Sequence, residues 1–287
     1  MALVIAISFC GLGSAAAEGD EAAEDDGGPL FTGVIDVNVG FRRYDSSDDP
    51  SSNDEVFTYG GAGRVNVPLM HGFSGQLDLQ SEIYEDGGED APEGAHAVTG
   101  HLNWRNDMFL VGGFIGGGQI SVTDQNDDTT GFVTGGEMQV YLGNLTLYPQ
   151  AGYGHFQVDE GEGFQEGWFA GIEARYFLND NCGFRGGFSY GETDEYIDGN
   201  DEGEFWNWEA EVFGRLYEKL PIYGTIGYQG GHYDATSEDD DVDDHRLIFG
   251  LRFVFGAESL LENDRRGATL STPMLPMRAA AWTEGLD

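Results

Sequence analysis

The sequence predicts an all-β fold: one transmembrane antiparallel β-barrel of about twelve strands. Three observations predict it, namely strict two-residue alternation, connections that alternate short and long, and aromatic residues at both margins of the apolar face. The stretch 164–191, FQEGWFAGIEARYFLNDNCGFRGGFSYG, carries the pattern most clearly. Trp168, Ala170, Ile172, Ala174, Tyr176 and Leu178 share one parity, and Phe169, Glu173, Arg175 and Phe177 share the other. After the turn formers Asn179-Asp180-Asn181, Phe184, Phe188 and Tyr190 resume the apolar parity opposite Gly183, Arg185, Gly187 and Ser189. Successive side chains of a strand point to opposite faces, so one face is apolar throughout and the other charged. Rings at both ends of an apolar face suit the two interfaces of a bilayer.

Composition agrees. The chain has 287 residues with 46 glycines and 13% aromatic residues, which suits many strands and tight turns. No run beyond the N-terminus is long enough for a spanning helix, a requirement that a closed barrel does not share. Against 13 Lys and Arg stand 52 Asp and Glu, a formal charge of −39. Such a surface repels phosphate, which excludes a nucleic-acid partner. It suits solvated loops that gather divalent cations weakly.

In chain order, Ala2–Phe9 is apolar and is followed by Ser14-Ala15-Ala16-Ala17, which reads as a signal peptide over 1–17. An acidic leader without periodicity covers 18–29. The barrel is expected over 30–255, with strands at 30–44, 56–67, 73–84, 95–104, 108–123 and 130–142. Six more follow at 145–158, 167–178, 182–190, 205–217, 222–233 and 245–255. Each suffices for the roughly 9–11 residues of a tilted spanning strand. Strand five, MFLVGGFIGGG, departs from the pattern by being apolar on both faces. Short connections at 68–72, 105–107, 143–144, 179–181 and 218–221 alternate with long acidic ones at 45–55, 85–94, 124–128, 159–166, 192–204 and 234–244. A sandwich or propeller has no reason to place its acids in every second connection, whereas a membrane barrel has short periplasmic turns and long extracellular loops. The tail, 256–287, is expected as a periplasmic linker or free end, with a plug folded back into the barrel as the alternative.

The last strand, His245–Phe255, resembles the terminal strand of porin-like Gram-negative outer-membrane β-barrel proteins. Gly250, Phe253 and Phe255 match that family's assembly signal, although Ile248 replaces a usual polar residue and the chain continues past Phe255. The resemblance covers 30–255 as architecture. It implies the Gram-negative outer membrane, contact with outer-membrane lipid, and the barrel assembly machinery as a folding partner.

No catalytic residues are expected. Histidines are present at 71, 96, 101, 155, 232 and 245, but no Ser/His spacing resembles a barrel hydrolase. No cofactor and no dedicated metal site are expected either. Asp124–Asp128 begins like a calcium loop yet lacks the turn glycine and distal Glu. The informative feature is the charged parity. It puts Asp36, Asp78, Glu82, Glu137, Glu173, Glu209 and Glu211 inside, with Arg42, Arg64, Arg175, Arg185, Arg215, Arg246 and Arg252. Facing lipid near the midplane, an Arg costs about 2–4 kcal/mol, so these groups line water or pair with one another. Asp36, Arg64, Asp78, Glu82, Glu137, Glu173, Arg175, Arg185, Glu209, Glu211, Arg215 and Arg252 are the expected pore lining. The functional expectation is passive diffusion of small polar or ionic solutes with a weak cation preference. The alternative is a non-conducting surface, adhesion or structural barrel working through its acidic loops.

Overall fold

The computed structural model describes residues 31–46, 55–85, 93–121, 129–157, 166–196, 201–235 and 240–273. The expected signal peptide, the leader, the tips of the long loops with the calcium-like run 124–128, and the chain beyond 273 lie outside them. Twelve antiparallel strands close into a barrel, each paired with its sequence neighbours and β1 with β12. They are β1 (Thr32–Ser46), β2 (Glu55–Pro68), β3 (Phe73–Glu85), β4 (Glu93–Arg105), β5 (Phe109–Ser121) and β6 (Thr129–Leu142). The second half comprises β7 (Leu145–Gln157), β8 (Glu166–Asn179), β9 (Cys182–Tyr196), β10 (Asp201–Arg215), β11 (Ile222–Ala235) and β12 (Asp240–Phe255). Among the described residues no helix is long and apolar enough to cross a membrane.

The alternation sets which side chains face out. On β8, Phe169 and Phe177 are 2% exposed while Trp168, Ile172 and Leu178 are 43%, 51% and 55% exposed. Ile35, Val37, Val39 and Phe41 on β1 and Leu247, Phe249 and Leu251 on the adjoining β12 are likewise exposed. A continuous apolar patch of this extent is a lipid-facing belt. Ring pairs mark both of its margins, with Trp104–Phe109 at 5.5 Å and Tyr176–Phe184 at 5.4 Å near the short turns. Phe41–Phe57 at 5.5 Å, Trp168–Tyr190 at 5.6 Å and Trp206–His232 stacked at 4.3 Å stand near the long loops.

Two expectations need correction. Parts of the connections expected at 192–204 and 234–244 are strand: β9 runs on to Tyr196, β10 starts at Asp201 and β12 at Asp240. Beyond the bilayer neither face of the sheet meets lipid, so hydrogen-bonded pairing continues without apolar alternation to announce it. Residues 256–273 are also no free linker and follow the alternative, a segment folded back into the barrel. Gly256 takes φ +75°, where a Cβ would come within 2.4 Å of the Phe31 carbonyl, and this turn sends the chain back into the barrel. A short helix, α1 (Leu260–Arg266), follows, and then a run without regular secondary structure to residue 273.

Inside, four large rings each lie over a glycine directly opposite on the neighbouring strand. The pairs are Phe114 over Gly135, Phe169 over Gly152, Phe205 over Gly191 and Phe213 over Gly183. The missing Cβ gives each ring a flat seat against backbone, a cross-strand pairing that pins the register. At Gly152 a Cβ would stand 2.6 Å from the Phe169 ring and 2.5 Å from the Thr134 carbonyl, whereas at Gly63 nothing lies within 4 Å. Gly152→Val is therefore expected to destabilise the barrel by about 1–3 kcal/mol, the usual cost of overpacking. Its unheated gel band should convert to the unfolded position at a lower temperature than wild type, and Gly63→Ala should convert with wild type.

Candidate functional site in the barrel interior

The structure places all twelve charged residues expected on the pore wall on the inner face, and most of them join one of two clusters. The first is a chain of alternating charge running round one side of the wall. Asp36 on β1 accepts from Arg252 at 2.7 Å and from Arg64 at 3.3 Å. Arg252 reaches Glu211 on β10 at 3.3 Å, and Glu211 meets Arg185 on β9 at 3.3 Å. Arg185 also contacts Glu173 at 3.3 Å and Glu209 at 3.7 Å. Glu173 accepts from Arg175, and Arg175 ends the chain on Asp264 of α1 at 2.9 Å.

The paired register explains this order. Arg175 and Arg185 are direct cross-strand neighbours, and like charges so placed repel unless carboxylates intervene. Glu173 answers both arginines, while Glu209 and Glu211 add two further carboxylates beside Arg185. The second cluster lies across β3, β4, β6 and β7. His101 sits between Glu137 at 2.8 Å and Asp78 at 3.7 Å. The Tyr148 hydroxyl donates to Glu137 at 2.7 Å, and Gln76 donates to Asp78 at 2.6 Å.

Two expected wall residues stand apart. Glu82 meets Arg246 near the long-loop end, beside the buried pair Arg42–Asp244 at 3.0 Å. Arg215 lies at the short-turn end, where it donates to the Tyr223 hydroxyl at 2.7 Å and to the Glu258 carbonyl at 2.7 Å. Asp244 had been expected in a loop and not as an inward partner, for the reason given above. At the end of β12, Phe253 and Phe255 are half-buried on the outward parity, and the Phe255 ring covers Gly33. Gly250 faces inward against Thr225.

The tail fills the short-turn half of the interior. Ser259 caps α1 by accepting from the Glu262 N–H at 3.1 Å, and Arg265 and Arg266 occupy the last turn, where cations favour the helix dipole. Leu260 and Ala268 pack into an apolar ring of Val34, Phe177, Phe213, Tyr223 and Val254, all on the inward parity. The Leu261 N–H donates to the Asp180 carbonyl of a short turn, and Arg265 lies 4.5 Å over the Tyr141 ring. Beyond α1 the chain is held largely by its backbone. Arg105 donates to the Gly267 carbonyl at 3.1 Å, and Gln139 to the Thr269 carbonyl at 3.5 Å. Gln76 grips Leu270 twice, donating to its carbonyl at 2.8 Å and accepting from its N–H at 3.2 Å. The Ser271 N–H donates to Tyr148 at 3.1 Å, and its carbonyl accepts from Gln150 at 2.9 Å. Leu270 is fully buried against Leu110 and Tyr148. That contact explains the second apolar face of β5, since Leu110 points at the tail and Phe114 at Phe169.

Above the tail lies a cavity of about 200 Å³, bounded by Arg64, Gln80, Gln150, Glu173, Arg185, Ser189, Asn207, Glu209 and Gln229, with Ser271–Pro273 as its floor. The sequence carried two signals for this plug. One is the capping spacing Ser259-Leu260-Leu261-Glu262 with Gly267 after, a helix start and stop. The other is the set of apolar residues on the charged parity near the short turns, which water would not cover cheaply. Among the described residues, no group of three or more His, Cys, Asp and Glu side chains is placed to hold a metal. Ser81 Oγ and His96 Nδ1 lie 3.0 Å apart on the outward face.

Residues 134–264 match the family model described as outer membrane protein beta-barrel domain. No curated protein matches the sequence. An outer membrane channel from Pseudomonas putida F1 has a similar structure, with a TM-score of 0.58 at 13% identity over 84% of this chain and 100% of that one. A FadL homologue from Pseudomonas aeruginosa is similar at a TM-score of 0.43 and 10% identity, over 78% of this chain and 90% of that one. The translocator domain of the autotransporter NalP from Neisseria meningitidis reaches 0.43 at 14% identity, over 80% and 90%.

Asp264 joins the tail to the wall, bonding Thr146 at 2.5 Å as well as Arg175, and it is almost fully buried. Asp264→Asn takes the charge out of the hydrogen bonds to Arg175 and Thr146, a loss of about 3 kcal/mol in all. The tail should then leave the lumen in an otherwise intact barrel. Trypsin cleavage after Arg265 or Arg266 is expected to quicken by about a hundredfold or more, with the heat-dependent gel shift kept.

Proposed function

We propose that this closed twelve-strand barrel, matched over residues 134–264 by an outer-membrane β-barrel model, is a channel of the Gram-negative outer membrane for passive diffusion of small polar or ionic solutes, weakly preferring cations. The inner wall carries the reading. It is polar and charged from the Arg42–Asp244 pair near the long loops down to Gln139 and Thr146, far more than a packed structural core requires. The pore lining is the set Asp36, Arg64, Asp78, Glu82, Glu137, Glu173, Arg175, Arg185, Glu209, Glu211, Arg215 and Arg252. The charges lie side by side along the wall and do not oppose one another across an open bore. The cation preference therefore comes from the chain's excess of 52 acids over 13 bases, which enriches cations at low ionic strength. The similar Pseudomonas putida structure is named a channel, which supports the same reading. Gly250, Phe253 and Phe255 serve as the strand read by the barrel assembly machinery, and the acidic loops bind divalent cations weakly. No reaction is assigned.

One observation favours the second reading, a non-conducting barrel: the tail occupies the short-turn half of the lumen. Planar-bilayer recording separates the two. The wild type is expected to conduct in small or infrequent steps, with a cation preference at 0.1 M salt that fades toward 1 M as the screening length drops from about 10 to 3 Å. Arg175→Ser with Arg185→Ser both widens the bore and frees Asp264 and Thr269 of the tail. It should raise conductance and strengthen cation selectivity. Closure of both proteins would rule out the channel.

A further inference from the structure

The lumen holds its plug in an unusual way. A filler chosen only to close a hole would be held through its side chains. Here five wall side chains on four strands, Arg105, Gln76, Gln139, Tyr148 and Gln150, address backbone groups of residues 267–271. Gln76 makes the two-point amide contact that a neighbouring strand would make. Side-chain identity is read at few places. Leu270 fills an apolar pocket against Leu110, and the Thr269 hydroxyl meets Gln139 and Arg175.

The wall does not depend on the tail for its charge balance. Arg64, Asp36, Arg252, Glu211, Arg185 and Glu173 are paired among the strands themselves, and without Asp264 Arg175 keeps Glu173. The amide side chains that grip the backbone would be hydrated equally well in a vacated bore. Each charge of that chain thus keeps a partner whether the lower lumen is occupied or empty; Arg105 is the exception, since its guanidinium reaches only the Gly267 carbonyl and turns to water when the tail leaves. Departure of the tail breaks hydrogen bonds worth about 0.5–1.5 kcal/mol each, since water replaces them.

We propose that the lower lumen is a binding site for short, extended, uncharged peptides with a leucine-like residue. Residues 267–271 occupy it as a tethered stand-in, and such peptides are among the solutes the channel admits. The solute clause rests on the channel reading above; the binding site does not. Tethering gives the tail an effective concentration of the order of millimolar, so a free peptide competes poorly with the intact protein. The segment reaches this site because Gly256 reverses the chain and α1 sets its depth.

The test uses the full chain carrying Ala268→Asp and Leu270→Asp. These positions are 1% and 0% exposed, so each substitution buries a carboxylate that the docked tail cannot accommodate, and no strand residue changes. The probe is the amide-capped peptide Gly-Ala-Thr-Leu-Ser-Thr-Pro bearing a fluorophore, followed by anisotropy in detergent and by current in bilayers. Saturable binding is expected to the variant, and binding to wild type at least about tenfold weaker. N-methylation of the peptide's leucine removes the N–H that Gln76 accepts. Like Gln76→Leu in the released variant, it should weaken binding by about three- to tenfold. Absence of saturable binding, or binding indifferent to both changes, overturns the proposal. Should the double variant fail to give the heat-modifiable band of a folded barrel, Leu270→Gly releases the tail more gently and the same measurements apply. Binding without conductance keeps the site and removes the channel. Conductance without binding or block keeps the channel and removes the site.

Discussion

Closure of the sheet is the constraint from which the rest follows. Within lipid no water is present to hydrogen-bond a free strand edge, so each backbone group must pair with another strand. Here the condition is met by joining β1 to β12 along fourteen residue pairs, Gly33↔Phe255 through Ser46↔Val242. Once the sheet is closed, two-residue alternation sorts side chains into two solvents. Ile35, Leu251 and Ile172 meet lipid, and Asp36, Arg252 and Glu173 meet one another inside. Aromatic rings seated on cross-strand glycines hold the register, because a slip of one residue would turn every arginine outward.

Placed on the inner wall, the charges solve their own problem locally. Arg175 beside Arg185 would be unfavourable alone, and Glu173 lies where it can serve both. Carboxylates from β10 and β1 extend the alternation to Arg252 and Arg64. The short-turn end obeys a different logic. Its inward residues are Val34, Phe177, Phe213, Tyr223 and Val254, which would be costly against water, and α1 supplies Leu260 and Ala268 to cover them. Asp264 then ties this apolar plug to the end of the charge chain. The tail is accordingly part of the barrel's interior.

Much of this was legible in the sequence. Strand number, orientation of faces and the neighbouring of Arg175, Arg185 and Glu173 all follow from counting by twos, because lipid enforces the alternation so strictly. Legibility failed where that enforcement stops. Above the bilayer Asp201–Glu204 and Asp240–Asp244 continue as strand without an apolar face, so composition alone suggested loops. The tail was misjudged for a different reason. Most polar contacts at 267–271 are to backbone carbonyls and amides, which leave little trace in residue type, and the Ser259–Glu262 cap and the inward apolar residues near the short turns point to it. Strand β5, apolar on both faces, was the same clue seen from the wall: Leu110 is apolar because Leu270 lies against it.

Residues 267–273 lie inside the barrel against a polar wall. Methyl–aromatic nuclear Overhauser contacts in detergent micelles test it without altering the chain. With selectively labelled leucine methyls, Leu270 should show strong cross-peaks to the Tyr148 ring and to the Leu110 methyls, and a ring-current-shifted resonance. A Leu270 signal at its random-coil position, narrow and without contact to either residue, would place the tail outside the lumen.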